Sequence, residues 1–211
     1  MRVAWFRVTR QMAVSSSTTT VRPPFAPCPP PRALCDMWCC VDAGLHYWDG
    51  SAAATELVCA SPQGHTFTSV ACTTSSTACV LVTSCHKDAT HGALWHIRIA
   101  TAGAARGDDA PPLLTRVELG SEHKLVLPAD VACVKGGAYI ADAASRALVF
   151  VPVDNDGHAG GAATVVATFP PERGVPLAVA PDADGNVWVA MCYTGQVREW
   201  RVGGRQLLCT L

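Results

Sequence analysis

GVPLAVAPDADGNVWVAMCYTGQVREWRV, residues 174–202, is the stretch whose reading decides the fold. Leu177-Ala178-Val179-Ala180 is a short apolar run, Pro181 to Asn186 is turn chemistry, and Val187-Trp188-Val189-Ala190 is a second run. Thr194-Gly195 then separates it from Gln196 to Val202, where polar and apolar residues alternate with period two. Three strands therefore fit into about thirty residues. Asp184-Gly185-Asn186 and Gly195 tolerate positive φ, so tight antiparallel connections are expected. None of the runs has the length or spacing of an amphipathic helix.

A copy lies upstream. Val131-Ala132-Cys133-Val134, a glycine turn at Lys135-Gly136-Gly137, and Ala138-Tyr139-Ile140-Ala141 are followed by a polar turn over Asp142 to Arg146 and by Ala147 to Val151. Val131 and Val179 stand 48 residues apart, Ile140 and Val189 stand 49 apart, and Tyr139 matches Trp188. A period of that size built of short strands is the sign of radial blades rather than of a helical solenoid. The expected fold is all-β: a β-propeller of the six-bladed type, incomplete here, with about four blades of four-stranded antiparallel sheet.

Earlier units are less regular. Met37 to Val41, a turn at Asp42-Ala43-Gly44, Leu45 to Trp48 and Ala53 to Val58 read as a first blade, with aromatics that pack the sheet. Thr66 to Ala71 is a strand of undecided place, inner or outer. Ala78 to Thr83, Leu94 to Ile99 and Leu113 to Leu119 are further strands. The wide spacing, with a small-residue and acidic loop from Ala102 to Pro112, implies an insertion or a degraded blade.

With 49% hydrophobic residues, 16% charged residues and a net charge of −1, the 211-residue chain can bury a core as one or two domains. No basic surplus exists to hold a nucleic-acid backbone, and no apolar run reaches transmembrane length, so neither nucleic acid nor a membrane is expected as a partner. The eleven cysteines are odd in number and irregularly spaced, and the adjacent Cys39-Cys40 pair is poor geometry for one metal. Buried or incidental thiols are the expected reading, with a disulfide scaffold as the alternative.

Residues 1–35 differ from residues 36–211, the propeller region. They carry Arg2, Arg7, Arg10, Arg22 and Arg32 before the first acid, Asp36, and contain a Ser/Thr run at 15–20 and a proline tract ending at Pro31. Such a start reads either as an organellar transit peptide or as a disordered tail, leaving a cytoplasmic or organellar location open.

Candidate chemistry is sparse. Cys85, His86, His91 and His96 cluster in sequence and have metal-ligand side chains, but their gaps match no compact zinc pattern, and loop or strand-edge histidines are the plainer reading. Asp182, Asp184 and Asn186 resemble part of a calcium loop yet lack its glycine and closing glutamate, which leaves a turn role. Asp154-Asn155-Asp156-Gly157 reads as a loop tip. No nucleophile elbow, P-loop or dinucleotide fingerprint occurs, so no catalytic or cofactor-binding residue is assigned.

The succession Leu127-Pro128-Ala129-Asp130-Val131-Ala132, Tyr139-Ile140-Ala141-Asp142-Ala143, Leu148-Val149-Phe150, Val165 to Phe169, Gly174-Val175-Pro176, Asp182 to Ala190 and Gly195-Gln196-Val197 resembles the SMP-30/gluconolactonase/luciferin-regenerating-enzyme family. The likeness covers residues 120–208, with a fainter echo over 34–58. Related glycine-turn patterns occur in NHL and strictosidine-synthase-like propellers.

The resemblance implies a six-bladed propeller whose channel holds calcium or zinc and hydrolyses lactones, the metal polarising the carbonyl and a carboxylate acting on water. It implies three ligands: an early glutamate, an asparagine and an aspartate. The asparagine position falls on Ala129 and the aspartate position on Leu177, followed by Ala178. Near the glutamate position stand Arg32 to Cys35, with Asp36 the only acid, and the family's mid-chain asparagine-aspartate pair has no counterpart.

Asp130 is a shifted candidate, but a one-residue shift turns a strand side chain to the other face unless the strand bulges. Three readings follow: a metal-dependent lactonase-type hydrolase, a silent propeller that binds a small lactone or a protein, and a truncated product, since six blades of this period need about 290 residues.

Overall fold

The computed structural model describes residues 4–5, 37–41, 44–48, 56–73, 79–98, 113–120, 124–154, 160–182, 186–192, 197–200 and 207–208. Among them are sixteen strands, in four antiparallel sheets of four. The first sheet holds β1 (Ala4–Trp5), β2 (Met37–Val41), β3 (Gly44–Trp48) and β4 (Glu56–Ala60). The second holds β5 (His65–Cys72), β6 (Cys79–His86), β7 (Gly92–Arg98) and β8 (Leu113–Arg116). The third holds β9 (Pro128–Val134), β10 (Gly137–Asp142), β11 (Ala147–Pro152) and β12 (Thr164–Thr168). The fourth holds β13 (Val175–Pro181), β14 (Val187–Cys192), β15 (Val197–Trp200) and β16 (Leu207–Leu208). In every sheet the spatial order is the chain order. This is a propeller array of about four blades, here called blades 1 to 4.

The core is a set of slabs between blades, and period-two alternation explains why. On β6, Val80 and Val82 face blade 1 and pack with Leu45, Phe67 and Val70, whereas Leu81 faces blade 3 and packs with Leu94, Val131 and Ile140. On β10, Ala138 and Ile140 join that second slab, while Tyr139 and Ala141 turn to blade 4 and meet Val179, Val187 and Val189. Both faces of a middle strand are therefore apolar, and β10 is buried along its whole length.

The second blade is a complete four-stranded sheet rather than a degraded one, with Thr66 to Ala71 on its innermost strand; the loop from Ala102 to Pro112 lies outside the described residues. Ala4–Trp5 pair with Cys40 and Cys39, so two residues of the 1–35 stretch lie in blade 1; Asp36 and the remainder of the tail lie outside the described residues.

The innermost strands share an irregularity. On β5, Phe67 pairs with Ser84 and Ser69 with Thr83, so Thr68 is skipped. On β9, Pro128 pairs with Asp142 and Asp130 with Ala141, so Ala129 is skipped. On β13, Pro176 pairs with Met191 and Ala178 with Ala190, so Leu177 is skipped. Each is a β-bulge, in which one residue leaves the ladder and the strand bends.

Candidate functional site

The three bulges set the geometry of the inner strands. Thr68 and Ala129 are half-buried, and Leu177 is 40% exposed. The Thr68 hydroxyl spans blades, donating to the Pro128 carbonyl at 2.7 Å and lying 2.9 Å from the Thr83 hydroxyl. The side chains of Ala129 and Leu177 offer no donor atom to a cation.

Asp130 follows the bulge, and the extra residue lets its buried carboxylate reach both neighbouring blades. Oδ1 accepts from the Ser69 hydroxyl of β5 and from the Val131 N–H at 2.9 Å, and Oδ2 accepts from the Val179 N–H of β13 at 2.8 Å. Burial pushes its carboxyl above the ordinary range, and these three donors pull it part of the way back. The strand does bulge here, the condition on which the face expected for Asp130 depended, and the side chain is a cross-blade strut. Asp142, also buried, accepts the N–H groups of Val126 (3.0 Å) and Leu127 (2.9 Å) and anchors the entry to β9.

Asp182 has the turn role expected for it, accepting from the Asn186 N–H at 2.8 Å, and it also accepts from Asn186 Nδ2 and Trp188 Nε1. Asp184 and residues 155–157 lie outside the described residues.

A second constellation forms where β6 turns into β7. His86 is the last residue of β6 and pairs with His65, the first of β5. The His86 N–H donates to the His91 carbonyl at 2.9 Å, closing a turn over Lys87 to Thr90 in which Ala89 has φ 55°. That closure stacks the two imidazoles, with centroids 4.4 Å apart and planes 18° from parallel. His65 meets both edge-on, at 5.2 Å and 5.5 Å, and its Nδ1 lies 3.0 Å from Ser84 Oγ, which also accepts from Trp95 Nε1.

Asp88 sits inside the turn. Its Oδ1 accepts from the Thr90 N–H (3.0 Å) and the Thr90 hydroxyl (2.7 Å), and it lies 2.7 Å from His86 Nδ1 and 3.9 Å from His91 Nδ1. The Thr90 N–H and hydroxyl, with His86 beside them, hold the Asp88 carboxyl well below the usual range. Burial, then the charges of His86, His91 and Arg116, lower the pKa of His65 and favour its neutral form.

Of the four side chains grouped in the sequence, the structure unites His86 and His91 and leaves the others out. Cys85 lies one residue off on the strand, its Sγ directed at the His86 and Val126 carbonyls. His96 lies within β7 rather than beside it, buried opposite Leu81. His65 and Asp88 went unnoticed, His65 because it is 21 residues from His86 in the chain. Beside the turn, Thr90, His91, Arg116 and Lys124 line a cleft of about 490 Å³. Among the described residues, Cys59, Cys79, Cys85, Cys133 and Cys192 are free thiols. No helix among the described residues is long and apolar enough to cross a membrane.

Comparison with known proteins places this geometry. Residues 135–208 match the SMP-30/Gluconolactonase/LRE-like region. Regucalcin from Agrobacterium tumefaciens str. C58, a calcium-binding protein, superposes with a TM-score of 0.63 at 17% identity, over 82% of this chain and 55% of that one. Luciferin-regenerating enzyme gives 0.61 at 17% identity, over 89% and 60%. A protein of unknown function from Bacteroides caccae gives 0.54 at 13%, over 83% and 56%. The chain thus spans 55% to 60% of the length of these structures, and at such identities the likeness is one of fold. No curated protein matches the chain. Residues 135–208, which fill most of blades 3 and 4, match the SMP-30/gluconolactonase/LRE-like region, and the chain shares its fold with regucalcin and luciferin-regenerating enzyme.

Proposed function

We propose that this chain is a catalytically silent propeller of the SMP-30/gluconolactonase type, a scaffold whose loops bind a small lactone-like molecule or a protein. The observation that carries this reading is the occupancy of the inner-strand bulges. Resemblance to the family puts its asparagine and aspartate ligands at Ala129 and Leu177, and both positions are the skipped residues of β9 and β13. Hydrocarbon side chains cannot hold calcium or zinc, so the residues present do not fit the family's metal. Asp130, the nearest carboxylate, already accepts three hydrogen bonds and has both oxygens engaged. Without a Lewis acid at the bulges, a bound lactone carbonyl keeps its ground-state polarity.

The test is hydrolysis of simple γ- and δ-lactones by the full chain in calcium, zinc and manganese. The expected rate equals that of buffer with the same metal. Metal-dependent turnover that disappears in Asp130→Asn would instead make the chain a hydrolase with a displaced ligand.

A further inference from the structure

We propose that the turn between β6 and β7 is a binding site for a zinc-class divalent cation, held by His86, Asp88 and His91, with the His65 ring edge-on to both imidazoles. One ligand atom from each of the first three residues lies within 4.8 Å of the other two. A tetrahedral ion with bonds of 2.0–2.1 Å holds its ligand atoms about 3.4 Å apart. The difference is within the reach of χ rotations on a turn whose Asp88 and His91 side chains are nearly half exposed.

The contact between His86 and Asp88 supplies the second reason. His86 Nδ1 is buried and makes no hydrogen bond among the described residues, although Asp88 Oδ1 lies only 2.7 Å away. Opening that contact from 2.7 Å to about 3.4 Å lets one tetrahedral ion take a lone pair from each atom.

The donor set selects the ion. Two imidazoles with one carboxylate suit zinc, cobalt, nickel or copper, whereas calcium and magnesium require oxygen ligands. The support around the ligands is also that of a metal site. Thr90 holds Asp88 through both its N–H and its hydroxyl, the hydroxyl meets His91 Nδ1 at 3.0 Å, and Ser84 orients His65 through Nδ1. Ala89, at positive φ, keeps the turn tight enough for His86 and His91 to stack. The site involves none of the three inner-strand bulges, so it stands whether or not the propeller is silent.

The full chain titrated with Co²⁺, as a spectroscopic stand-in for Zn²⁺, tests this. One equivalent is expected to produce d–d absorption without a thiolate-to-cobalt band, and Zn²⁺ should displace it. His86→Ala/His91→Ala should abolish the absorption, and Asp88→Asn should weaken binding. Thr90→Ala should cost about 10- to 100-fold in affinity, as loss of a supporting partner does. Cys85→Ser should bind as the parent does. Circular dichroism of each variant separates a lost site from a lost fold, the turn being at the surface. The absence of saturable binding would overturn the proposal, and so would binding that survives intact in the double histidine variant. Failure of the silent-propeller reading would show instead as lactone turnover sensitive to Asp130.

Discussion

Asp130 and Val179 stand on different blades, and the carboxylate Oδ2 of the first accepts the backbone N–H of the second at 2.8 Å. The same carboxylate reaches back to Ser69 on the preceding blade, so one side chain ties three consecutive inner strands together. Removing it leaves a buried hydroxyl and two buried N–H groups short of an acceptor. Asp130→Ala should therefore lower the unfolding free energy by about 3 kcal/mol, at the upper end of the cost of unsatisfied buried polar groups. The urea midpoint reads the loss, and an unchanged midpoint would mean that water replaces the strut.

The same residue gives a pH dependence with a definite sign. Its folded pKa is raised, so between the ordinary aspartate value of about 3.9 and that raised value the folded state binds more protons than the unfolded one. The contribution is fully present below the unfolded value and is lost as pH rises through the folded one. Wild type should lose stability relative to Asp130→Asn as pH is raised from 4, and parallel urea curves for the two across that range would contradict the assignment.

Gly136 and Gly137 separate two kinds of glycine requirement. A Cβ on Gly137 would meet the Val151 carbonyl and the Phe150 ring at 2.5 Å, whereas one on Gly136 meets nothing within 4 Å but sits at φ 85°. Gly137→Ala should cost about 3 kcal/mol through overpacking against the neighbouring strand. Gly136→Ala should cost about 1 kcal/mol through left-handed strain alone. Thermal melts of the two variants decide the order.

Cys133 reports on the interface between blades 2 and 3. Burial pushes its thiol pKa up to about 12, with the nearby Cys72 adding to the shift, and its Sγ lies 3.9 Å from the Ala71 carbonyl across the interface. Iodoacetamide at pH 8 should leave Cys133 unmodified in the folded protein and label it in urea, because only the thiolate reacts. Peptide mapping checks this. Equal labelling in both states would show that the blades open readily.

Asp142 provides a comparison for the strut. Its two acceptor bonds to Val126 and Leu127 lie within one blade, so Asp142→Ala should destabilise by about 2 kcal/mol. Asp142 follows Ala141, the ladder partner of Asp130, so the double variant should depart from additivity by about 0.5 kcal/mol or more, as neighbouring sites do.

The strands of blades 3 and 4 were legible because alternation and turn residues agree there, down to the match of Tyr139 with Trp188. Blade 2 was harder to read. Its inner strand, Thr66 to Ala71, breaks strict alternation with polar Thr68 and Ser69 side by side, and the long excursion before Leu113 broke the apparent period. The bulges at Thr68, Ala129 and Leu177 carry no local signal, since a skipped residue is a property of two strands in register. The fate of Asp130 was invisible for the same reason. The histidine cluster was half legible: His86 and His91 sit near each other in sequence, but only the β5–β6 ladder brings His65 alongside, and only the closed turn brings Asp88 inward.

The bulges also have an evolutionary consequence. A residue outside the hydrogen-bonded ladder can be exchanged without altering the pairing on either side of it, so Thr68, Ala129 and Leu177 are positions where chemistry and architecture are inherited separately. Side chains can change there one substitution at a time, while the blades that frame them keep their pairing.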